Sequence, residues 1–481
     1  MTDPFSRRRT RREFIRDIAI GTGGLVIVPS FVGACAGRLS RSEPVGWDLV
    51  PHILARIKTP SFPSRDFPVT DFGAVADGRT DCTSAFAAAI AKCASSGGGR
   101  VVVPAGRFLT GAVHLRSNVN LHVSEGATIL FSTDPRKYLP AVLTRFEGVE
   151  VMNYSPLIYA IDCENVAVSG AGTLDGQADN ENWWPWKGNP AFGWKTGEPR
   201  QNEAREKLFA MAERGVLPAE RQFGDGGYLR PSFIQTYRCR NVLIESVKIV
   251  NSPMWEIHPV LSTNVTVRDV RISTHGPNND GCDPESCRDV LIERCFFDTG
   301  DDCIAIKSGR NADGRRVNVP SENIIVRQCE MRDGHGGVTI GSEISGGVRN
   351  VFAESCTMDS PNLDRALRFK NNAARGGLLE HVYMRDVTVG QVADAVLQID
   401  YLYEEGPNGA FTPVVRDVEM RNVTSKKSQY ALYLRGIERG VISDVRIIDC
   451  RFDNVAKPNV VERVNGLALR DTRINGQVVS A

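Results

Sequence analysis

Four short motifs in the second half of the chain contain residues that could do acid–base chemistry. They supply three carboxylates, an imidazole and two cations: Asp280, Asp301, Asp302, His335, Arg368 and Lys370. Clustered carboxylates can divide the roles of general acid and general base, and cations can hold an anionic sugar. These residue types therefore suit acid–base cleavage of an acidic sugar polymer.

A sequence repeat predicts that the four motifs lie side by side. The intervals from Asp302 to His335 and from His335 to Arg368 are both 33 residues, about one coil of a solenoid. A unit with apolar residues at positions 2, 4 and 7 begins at Asn241 and recurs down the chain. Later copies begin at Asn264, Asp289, Asn323, Asn350, His381, Asp417 and Asp444, and earlier turns begin near Asn118 and Asn165.

Each repeat has the alternating pattern of a β-strand, and no long helical pattern intervenes after residue 240. One strand cannot bury its own apolar face, so the units must stack on one another. The sequence predicts an all-β, single-domain right-handed parallel β-helix over residues 70–475. A short helix opening at Asp81–Thr83, with an apolar stripe of Phe86, Ile90 and Cys93, would cap its open end.

Strand geometry adds two expectations about side-chain direction. Arg368 and Lys370 are two residues apart and should share a face, as should Asn278 and Asp280. Asp301 and Asp302 are neighbours, so both can reach one site only if Gly300 permits a local turn or bulge.

Composition limits the partners. The chain has 481 residues, 12 cysteines and a net charge of +1, which gives no reason to expect a nucleic-acid partner. An acidic polysaccharide would have to be held by a local cluster, and we expect a monomer without cofactor or metal. Cysteines occupy position 7 of four repeats, where other repeats have Val, so we interpret these cysteines as core residues.

The first 36 residues have the pattern of an export signal. Arg11 and Arg12, followed by an apolar segment from Ile18 to Val32, resemble a twin-arginine motif. Cys35 stands in a lipoprotein-type box and would give a membrane anchor, although an ordinary cleavage site fits equally well. Both alternatives predict a periplasmic, outer-membrane-anchored or secreted protein.

Two segments interrupt the repeat. Residues 37–69 are rich in Pro and Ser and are interpreted as a linker and entry segment. Residues 178–230 form an insertion with four tryptophans and a helical pattern from Glu203 to Arg214. We expect Trp183 and Trp184 to stack against sugar, the alternative being a loop core that packs on the solenoid. An insertion of this length could also close one end of a groove and restrict attack to chain ends.

Residues 70 to 455 resemble family 28 of the glycoside hydrolases, the polygalacturonase family. The matching strings are Thr70–Ala74, Gly170–Gln177, Pro277–Gly281, Gly300–Gly309, Gly334–Gly337 and Arg368–Lys370. The order and spacing of the strings carry the resemblance. It implies a right-handed parallel β-helix that hydrolyses α-1,4-galacturonosidic bonds with inversion, for which acid and base are expected roughly 6.5–9.5 Å apart.

The resemblance also implies roles for individual residues. Asp301 would be the general acid, Asp280 and Asp302 would activate water, and His335 would tune the acid or orient the substrate. The substrate-binding residues would be Arg368, Lys370, Asn278 and Tyr403. Asn279 replaces the Thr that is usual in the first motif; it should face into the stack and affect specificity rather than activity.

Three other functions are compatible with a β-helix. A rhamnogalacturonan or xylogalacturonan hydrolase would use the same chemistry. A polyuronate lyase would need Ca²⁺ and a basic residue such as Arg368 to remove a proton. A non-catalytic surface β-helix would not need the cluster of carboxylates and cations.

Overall fold

The computed structural model describes residues 44–480. The expected twin-arginine signal and Cys35 lie outside the described residues. Residues from Val45 onward form one compact unit, in which strands stack in three parallel rows. In the described residues no helix is both long and apolar enough for a membrane span.

The first row runs the whole length of the solenoid. Its strands are Asp66–Pro68, Gly99–Val103, Val119–Val123, Glu164–Ser169, Arg240–Glu245, Thr263–Arg268, Arg288–Glu293, Ser321–Arg327, Val348–Glu354, Leu378–Gln391, Val414–Lys427, Ile442–Ile448, Val464–Asn465 and Ala468–Arg470. The second row consists of Asp77–Asp81, Gly106–Thr110, Ala127–Phe131, Thr173–Asp175, Lys248–Val250, Arg271–Thr274, Phe296–Thr299, Glu330–Met331, Thr357–Met358, Arg451–Phe452 and Thr472–Ile474. Gln477–Val479 pairs antiparallel with the last of these strands.

The third row contains or adjoins the four motifs identified in the sequence. Its strands are Val113–His114, Ile158–Ile161, Ile234–Tyr237, Ile304–Ile306, Val338–Ile340, Arg365–Lys370, Ala395–Asp400, Tyr430–Arg435 and Val460–Glu462. Single bridges at Ile257 and Cys282 make this row continuous between Ile234 and Ile304. Crossovers between parallel strands of one sheet are right-handed, and the molecule is the expected right-handed parallel β-helix.

The repeat in the sequence fixes the register of the first row. Position 2 of each unit pairs with position 2 of the next, without a shift, from Val242 to Val445. Position 7 points into the core in every unit, and its Val and Cys side chains are at most 2% exposed. All cysteines among the described residues are free thiols, so the interpretation of the position-7 cysteines as core residues is confirmed.

Position 1 of each unit has a left-handed backbone, with φ between 54° and 59°. Asn and Asp tolerate this conformation better than other non-glycine residues. Their side chains also bond between coils: Asn264 donates to Asn241 at 2.6 Å, Asn323 to Asp289 at 3.0 Å and Asn350 to Asn323 at 3.1 Å. The polar first position is therefore a ladder that joins successive coils.

The expected capping helix is present. Helix α2 (Thr83–Ser95) buries Phe86, Ile90 and Cys93 against the start of the solenoid, next to the 3-10 turn Val69–Phe72. The remaining helices are α1 (Leu49–Arg56), α3 (Asn202–Glu213) and α4 (Asn311–Val317), with 3-10 turns at Gly46–Asp48, Pro135–Tyr138, Trp184–Lys187, Pro190–Phe192 and Pro218–Glu220.

The assignment of residues 37–69 to a linker needs correction. Within this segment α1 packs on the outside of the first row, where Val50 and Ile53 contact a cluster that includes Ile325 and Phe352. The solenoid itself begins at Asp66 rather than at residue 70. Of the Pro and Ser residues that suggest a linker, Pro60, Ser61, Pro63 and Ser64 lie between these two elements, whereas Pro51 lies in α1 and Pro68 in the first strand. The apolar pattern of α1 covers only eight residues.

Three excursions rise from the solenoid next to the third row. One is an antiparallel hairpin, Val142–Phe146 with Val149–Asn153, which the sequence did not predict. The second is the expected insertion at residues 178–230, whose helix α3 matches the predicted helix within one residue. The third is the loop that follows the strand Ala395–Asp400.

Candidate active site

The third row brings the four motifs together. Asp301 donates its backbone N–H to Asn279 at 3.1 Å, and His335 donates to the carbonyl of Asp301 at 3.0 Å. Arg368 pairs in register with Thr339, on the strand that follows His335. The side chains therefore lie on successive coils, about 4.8 Å apart.

The three carboxylates form a compact triad. One oxygen from each of Asp280, Asp301 and Asp302 lies within 4.8 Å of the others. The expected separation of acid and base, roughly 6.5–9.5 Å, is therefore wrong for the nearest oxygens of this site. Adjacent positions in the chain and adjacent coils of the solenoid force the closer spacing.

Asp301 and Asp302 do diverge, as expected of neighbours. Asp301 lines an open cavity, whereas Asp302 is fully buried. Gly300 allows this turn because a Cβ there would lie 2.4 Å from the carbonyl oxygen of Gly276. The residue is thus needed for close approach of two coils.

Asp302 is held by cations. Its carboxylate accepts hydrogen bonds from Lys370 Nζ at 2.5 Å, Arg368 Nη1 at 3.3 Å and Thr339 Oγ1 at 2.9 Å. Burial opposes the charge on Asp302, but the two cations dominate and hold its pKa below the usual value. Lys370 and Arg368 share a face, as expected, and both line the cavity.

Asp301 and His335 are a hydrogen-bonded pair, with Nδ1 and Oδ1 3.0 Å apart. That bond, opposed by burial, raises the pKa of His335 to about 9. Burial by itself would raise the pKa of Asp301, but His335, Lys370 and Arg368 hold it well below the usual value. In the free protein the proton of this pair therefore lies on His335.

Asp280 has the opposite environment. Burial and the negative charge of Asp301 raise its pKa to about 8, although Lys307 lies 3.3 Å from it. Behind it, burial raises the pKa of Asp283 and of Glu256, both fully buried. The free protein thus keeps a proton on Asp280 near neutral pH.

Asn278 and Asn279 face opposite ways. Asn279 is fully buried, as expected, and its amide donates to the carbonyls of Ser252 and Met254 at 3.1 and 3.0 Å. Asn278 lines the cavity, and its Oδ1 accepts from Arg230 at 2.9 Å. The Asn279 side chain therefore bonds the loop that carries Asp280 to the preceding coil.

The cavity has a volume of about 270 Å³. The excursions supply much of its wall: Glu147 from the hairpin, Lys187 and Arg205 from the insertion, and Glu404 from the loop. Arg205 and Glu147 join two of these excursions by an ion pair at 2.5 Å. Sequence reasoning missed the following cavity residues: Glu147, Lys187, Arg205, Trp255, Lys307, Ser342, Glu343 and Glu404.

Four of these residues had a visible signal in the sequence. Lys307 lies inside one of the motif strings, Lys187 and Arg205 lie inside the tryptophan-rich insertion, and Glu404 directly follows Tyr403. Of the others, Glu147 is placed by the hairpin, whereas Trp255, Ser342 and Glu343 lie on coils of the solenoid itself.

The expectation that Trp183 and Trp184 stack against sugar is wrong. Trp183 is 3% exposed and packs edge-to-face on Tyr138 and Trp186. Trp184 donates its Nε1 to the carbonyl of Ser252 at 2.9 Å, and neither indole lines the cavity. Both belong to the alternative, a loop core that fastens the insertion to the solenoid.

Tyr403 does reach the cavity. Its ring centroid lies 5.7 Å from Arg368 Cζ and 5.6 Å from Lys370 Nζ. A ring at that distance attracts the cations weakly and leaves an aromatic face beside them. The position suits contact with a sugar that the two cations hold.

Models of two protein families match parts of the chain. The model of glycosyl hydrolases family 28 matches residues 220–465, just over half of the chain. A second model, rhamnogalacturonase A/epimerase, pectate lyase-like, matches residues 67–122.

Individual relatives cover most of the chain. The solved structure of a hyperthermoactive exopolygalacturonase from Thermotoga maritima is 50% identical, covers 91% of this chain and 97% of that one, and has a TM-score of 0.88. A probable polygalacturonase of Vitis vinifera is 28% identical over 82% of this chain and 75% of its own length. For the exo-poly-alpha-D-galacturonosidase of Dickeya chrysanthemi the identity is 28%, over 75% of this chain and 62% of the relative. The chain belongs to family 28 of the glycosyl hydrolases.

Proposed function

We propose that this glycoside hydrolase is an exo-acting polygalacturonase, which cleaves α-1,4-galacturonosidic bonds with inversion. The observation that carries the proposal is the small charged cavity over the carboxylate triad, about 270 Å³. Pockets for drug-sized ligands typically have roughly 300–1,000 Å³, so this one suits the end of a sugar chain. Two of the relatives are exo-acting enzymes by name, from Thermotoga maritima and Dickeya chrysanthemi.

Asp301 protonates the glycosidic oxygen, and Asp302, whose pKa is low, activates the attacking water. Asp280 joins it as a base once Asp301 has taken up a proton, because the negative charge of Asp301 is one of the causes that raise the pKa of Asp280. Arg368 and Lys370 bind the carboxylate of a galacturonate, and Tyr403 packs beside it. Because the triad is compact, the water must be held next to Asp280 and Asp302, on the face of the anomeric carbon opposite the leaving oxygen that Asp301 protonates.

Substrate binding would prepare the acid. In the free protein, Lys370 and Arg368 help to hold the pKa of Asp301 low. A uronate carboxylate on these cations neutralises their charge, so the proton affinity of Asp301 rises. The protonated His335, 3.0 Å away, can then give Asp301 the proton that it passes to the leaving oxygen. Asp301 thus carries its proton only when substrate is present.

Product sizing tests the mode of attack. Polygalacturonate is incubated with enzyme, and products are separated by anion exchange at early times. An exo-acting enzyme releases monomer or dimer from the first sample onward. A ladder of oligomers at early times would show internal cutting and contradict the proposal. Parallel assays on rhamnogalacturonan and xylogalacturonan test those alternatives, since a hydrolase of either would prefer its own polymer.

Metal chelation separates hydrolysis from lyase chemistry. We expect full activity in EDTA, because Lys307, Arg368 and Lys370 already supply the positive charge that a calcium ion would bring to the triad. Absorbance of unsaturated products is followed alongside reducing ends. Loss of activity in EDTA together with a rise in that absorbance would support the lyase.

We also propose export by the twin-arginine route, on the basis of Arg11, Arg12 and the apolar segment that follows. Arg11→Lys together with Arg12→Lys should keep the enzyme in the cytoplasm. Radiolabelled palmitate distinguishes the two forms of the N-terminus, since lipidation at Cys35 would be lost in Cys35→Ala. Unchanged export of the double variant would contradict the proposal.

A further inference from the structure

Lys187 differs from every other cation that lines the cavity. Arg205 pairs with Glu147, Lys307 with Glu343, and the remaining ones, His335, Arg368 and Lys370, with the triad. Within residues 44–480, no carboxylate lies within 4.0 Å of Lys187 Nζ. Its polar contact there is the Oδ1 of Asn278, at 2.8 Å.

The position of Lys187 is fixed by a built scaffold. It ends the 3-10 turn Trp184–Lys187, and Trp184 packs so closely on Gly276 that a Cβ there would lie 2.2 Å from the indole. Asn278, which accepts from Lys187, also accepts from the buried Arg230. Burial lowers the pKa of Lys187. A half-buried ammonium without a close counter-ion is costly, and a ligand carboxylate would supply one.

The location of Lys187 gives this ligand a place in the reaction. Asn278 belongs to the coil that precedes Asp301, whereas Arg368 lies two coils after it. Lys187 and the pair Arg368 and Lys370 therefore flank the catalytic acid from opposite sides along the solenoid. A galacturonan places a carboxylate on each side of the bond that is cut, and each would then meet its own cation.

We propose that Lys187 binds the carboxylate of the galacturonate on the insertion side of the scissile bond, the unit that is released. It would thereby make the enzyme require a chain end that is not methyl-esterified. The inference rests on the proposed function, since it assigns one of the two sugars at the scissile bond. The insertion then does more than wall the cavity, because it selects for charge at the chain end.

Methyl esters on defined sugars test the assignment. The substrates are trigalacturonate, the same trimer with a 6-methyl ester on the terminal sugar to be released, and the trimer with the ester on the middle sugar. For the native enzyme the terminal ester should lower kcat/KM roughly 10- to 100-fold, the range of one lost charged hydrogen bond. Lys187→Met should lower kcat/KM for the free trimer by a similar factor and abolish its preference over the terminal ester.

The controls use the same insertion and the same substrates. Lys195→Met removes an exposed charge of the insertion and should leave all three rates unchanged. The ester on the middle sugar should be penalised equally in the native enzyme and in Lys187→Met. A Lys187→Met enzyme that still prefers the free terminus by the native factor would overturn the proposal.

Binding and stability readouts separate this proposal from the proposed function. Galacturonate and its methyl ester are titrated calorimetrically into native enzyme and Lys187→Met, which needs no hydrolysis. The proposal is supported if the native enzyme prefers galacturonate over its methyl ester and Lys187→Met does not. This holds even if no trimer is cleaved, whereas the absence of cleavage would refute only the proposed function. Lys187→Met should also have a Tm equal to or above that of the native protein, whereas a lower Tm with unaltered selectivity would indicate a structural role and overturn the proposal.

Discussion

At the scale of single residues, the free protein distributes its protons differently from the roles that the family resemblance implies. Asp280 has the raised pKa, about 8, while Asp301, the expected acid, is ionised beside a protonated His335. A substrate whose leaving group needs no protonation distinguishes the two roles, because its cleavage requires the general base but not the general acid.

Asp301→Asn should lower turnover of polygalacturonate by roughly 10²- to 10⁴-fold, the contribution of a general acid. On an aryl galacturonide with a good leaving group the loss should be much smaller, because the acid is not required. Asp280→Asn should lose activity on both substrates. Steady-state rates on the two substrates give the comparison.

Asp298→Asn is the matched control, since this carboxylate lies outside the cavity, 3.3 Å from His275. It should retain native rates on both substrates. If Asp280→Asn rather than Asp301→Asn recovers on the aryl substrate, Asp280 is the acid and the roles are exchanged.

Lys370 should affect stability as well as binding. It bonds Asp302 at 2.5 Å, and Asp302 is fully buried. Removing Lys370 leaves the buried carboxylate with Arg368 as its remaining close cation, so the loss should approach about 3–5 kcal/mol, the typical cost of breaking a buried pair. Lys370→Met should therefore raise KM for galacturonate and also lower the free energy of unfolding in urea.

The double variant Lys370→Met/Asp302→Asn should regain most of that stability while staying inactive. Equal stability of Lys370→Met and the native protein would show that Asp302 does not depend on Lys370. This dependence could not be predicted from the sequence, which places both residues at the site but not in contact.

His335 gives the unfolding free energy a pH dependence. Its folded pKa, about 9, lies above its ordinary value of 6.5, so the pair with Asp301 stabilises fully below pH 6.5 and its contribution is lost as the pH rises through 9. The raised pKa of Asp280 acts in the same direction, with its contribution lost as the pH rises through about 8. Urea midpoints should therefore fall between pH 6.5 and 9.

His335→Gln removes one of the two titrations, so its midpoints should fall less steeply over the same range. Parallel curves for the native protein and His335→Gln would contradict the assignment of the proton to His335.

At the scale of elements, the turn before each first-row strand combines strain and bonding. Asn323 has φ of 59°, donates to Asp289 and accepts from Asn350. Asn323→Ala would lose the ladder bonds and also adopt a left-handed backbone that costs an alanine about 1–2 kcal/mol. Asn323→Gly loses the ladder alone, apart from a smaller entropic cost.

We therefore expect Asn323→Ala to destabilise the protein more than Asn323→Gly, with activity of the folded fraction retained in both. Urea unfolding of the three proteins measures the order. If the glycine variant is the less stable, the entropic cost of glycine exceeds the strain of a left-handed alanine at this position.

The first-row strands could be predicted because positions 2, 4 and 7 repeat, and the structure pairs the same positions in every coil. The part of the third row before Ile304 could not be predicted, because the single bridges at Ile257 and Cys282 are too short to show an alternating pattern. Helix α1 was missed because only eight residues carry its apolar pattern. Long repeats can be recognised in a sequence, whereas single short elements that depend on tertiary packing cannot.

At the scale of the whole molecule, the solenoid supplies the row of catalytic residues and the excursions supply walls of the cavity. The motif spacing predicted the row of Asp280, Asp301, His335 and Arg368. The cavity depends on tertiary contacts between segments far apart in sequence, such as Arg205 with Glu147. This explains why Lys187 was missed and why Trp183 was given the wrong role.

The walls that the excursions build around the cavity predict attack at chain ends. A polymer can lie across an open row of coils and be cut internally, but the hairpin, the insertion and the loop after Ala395–Asp400 all contribute wall to this cavity. Their ion pair between Arg205 and Glu147, together with the packed Trp183, holds the wall in place. Reducing ends should therefore accumulate well before the viscosity of polygalacturonate falls. Capillary viscometry with parallel reducing-end assays measures both, and an early collapse in viscosity would show that the wall leaves the groove open.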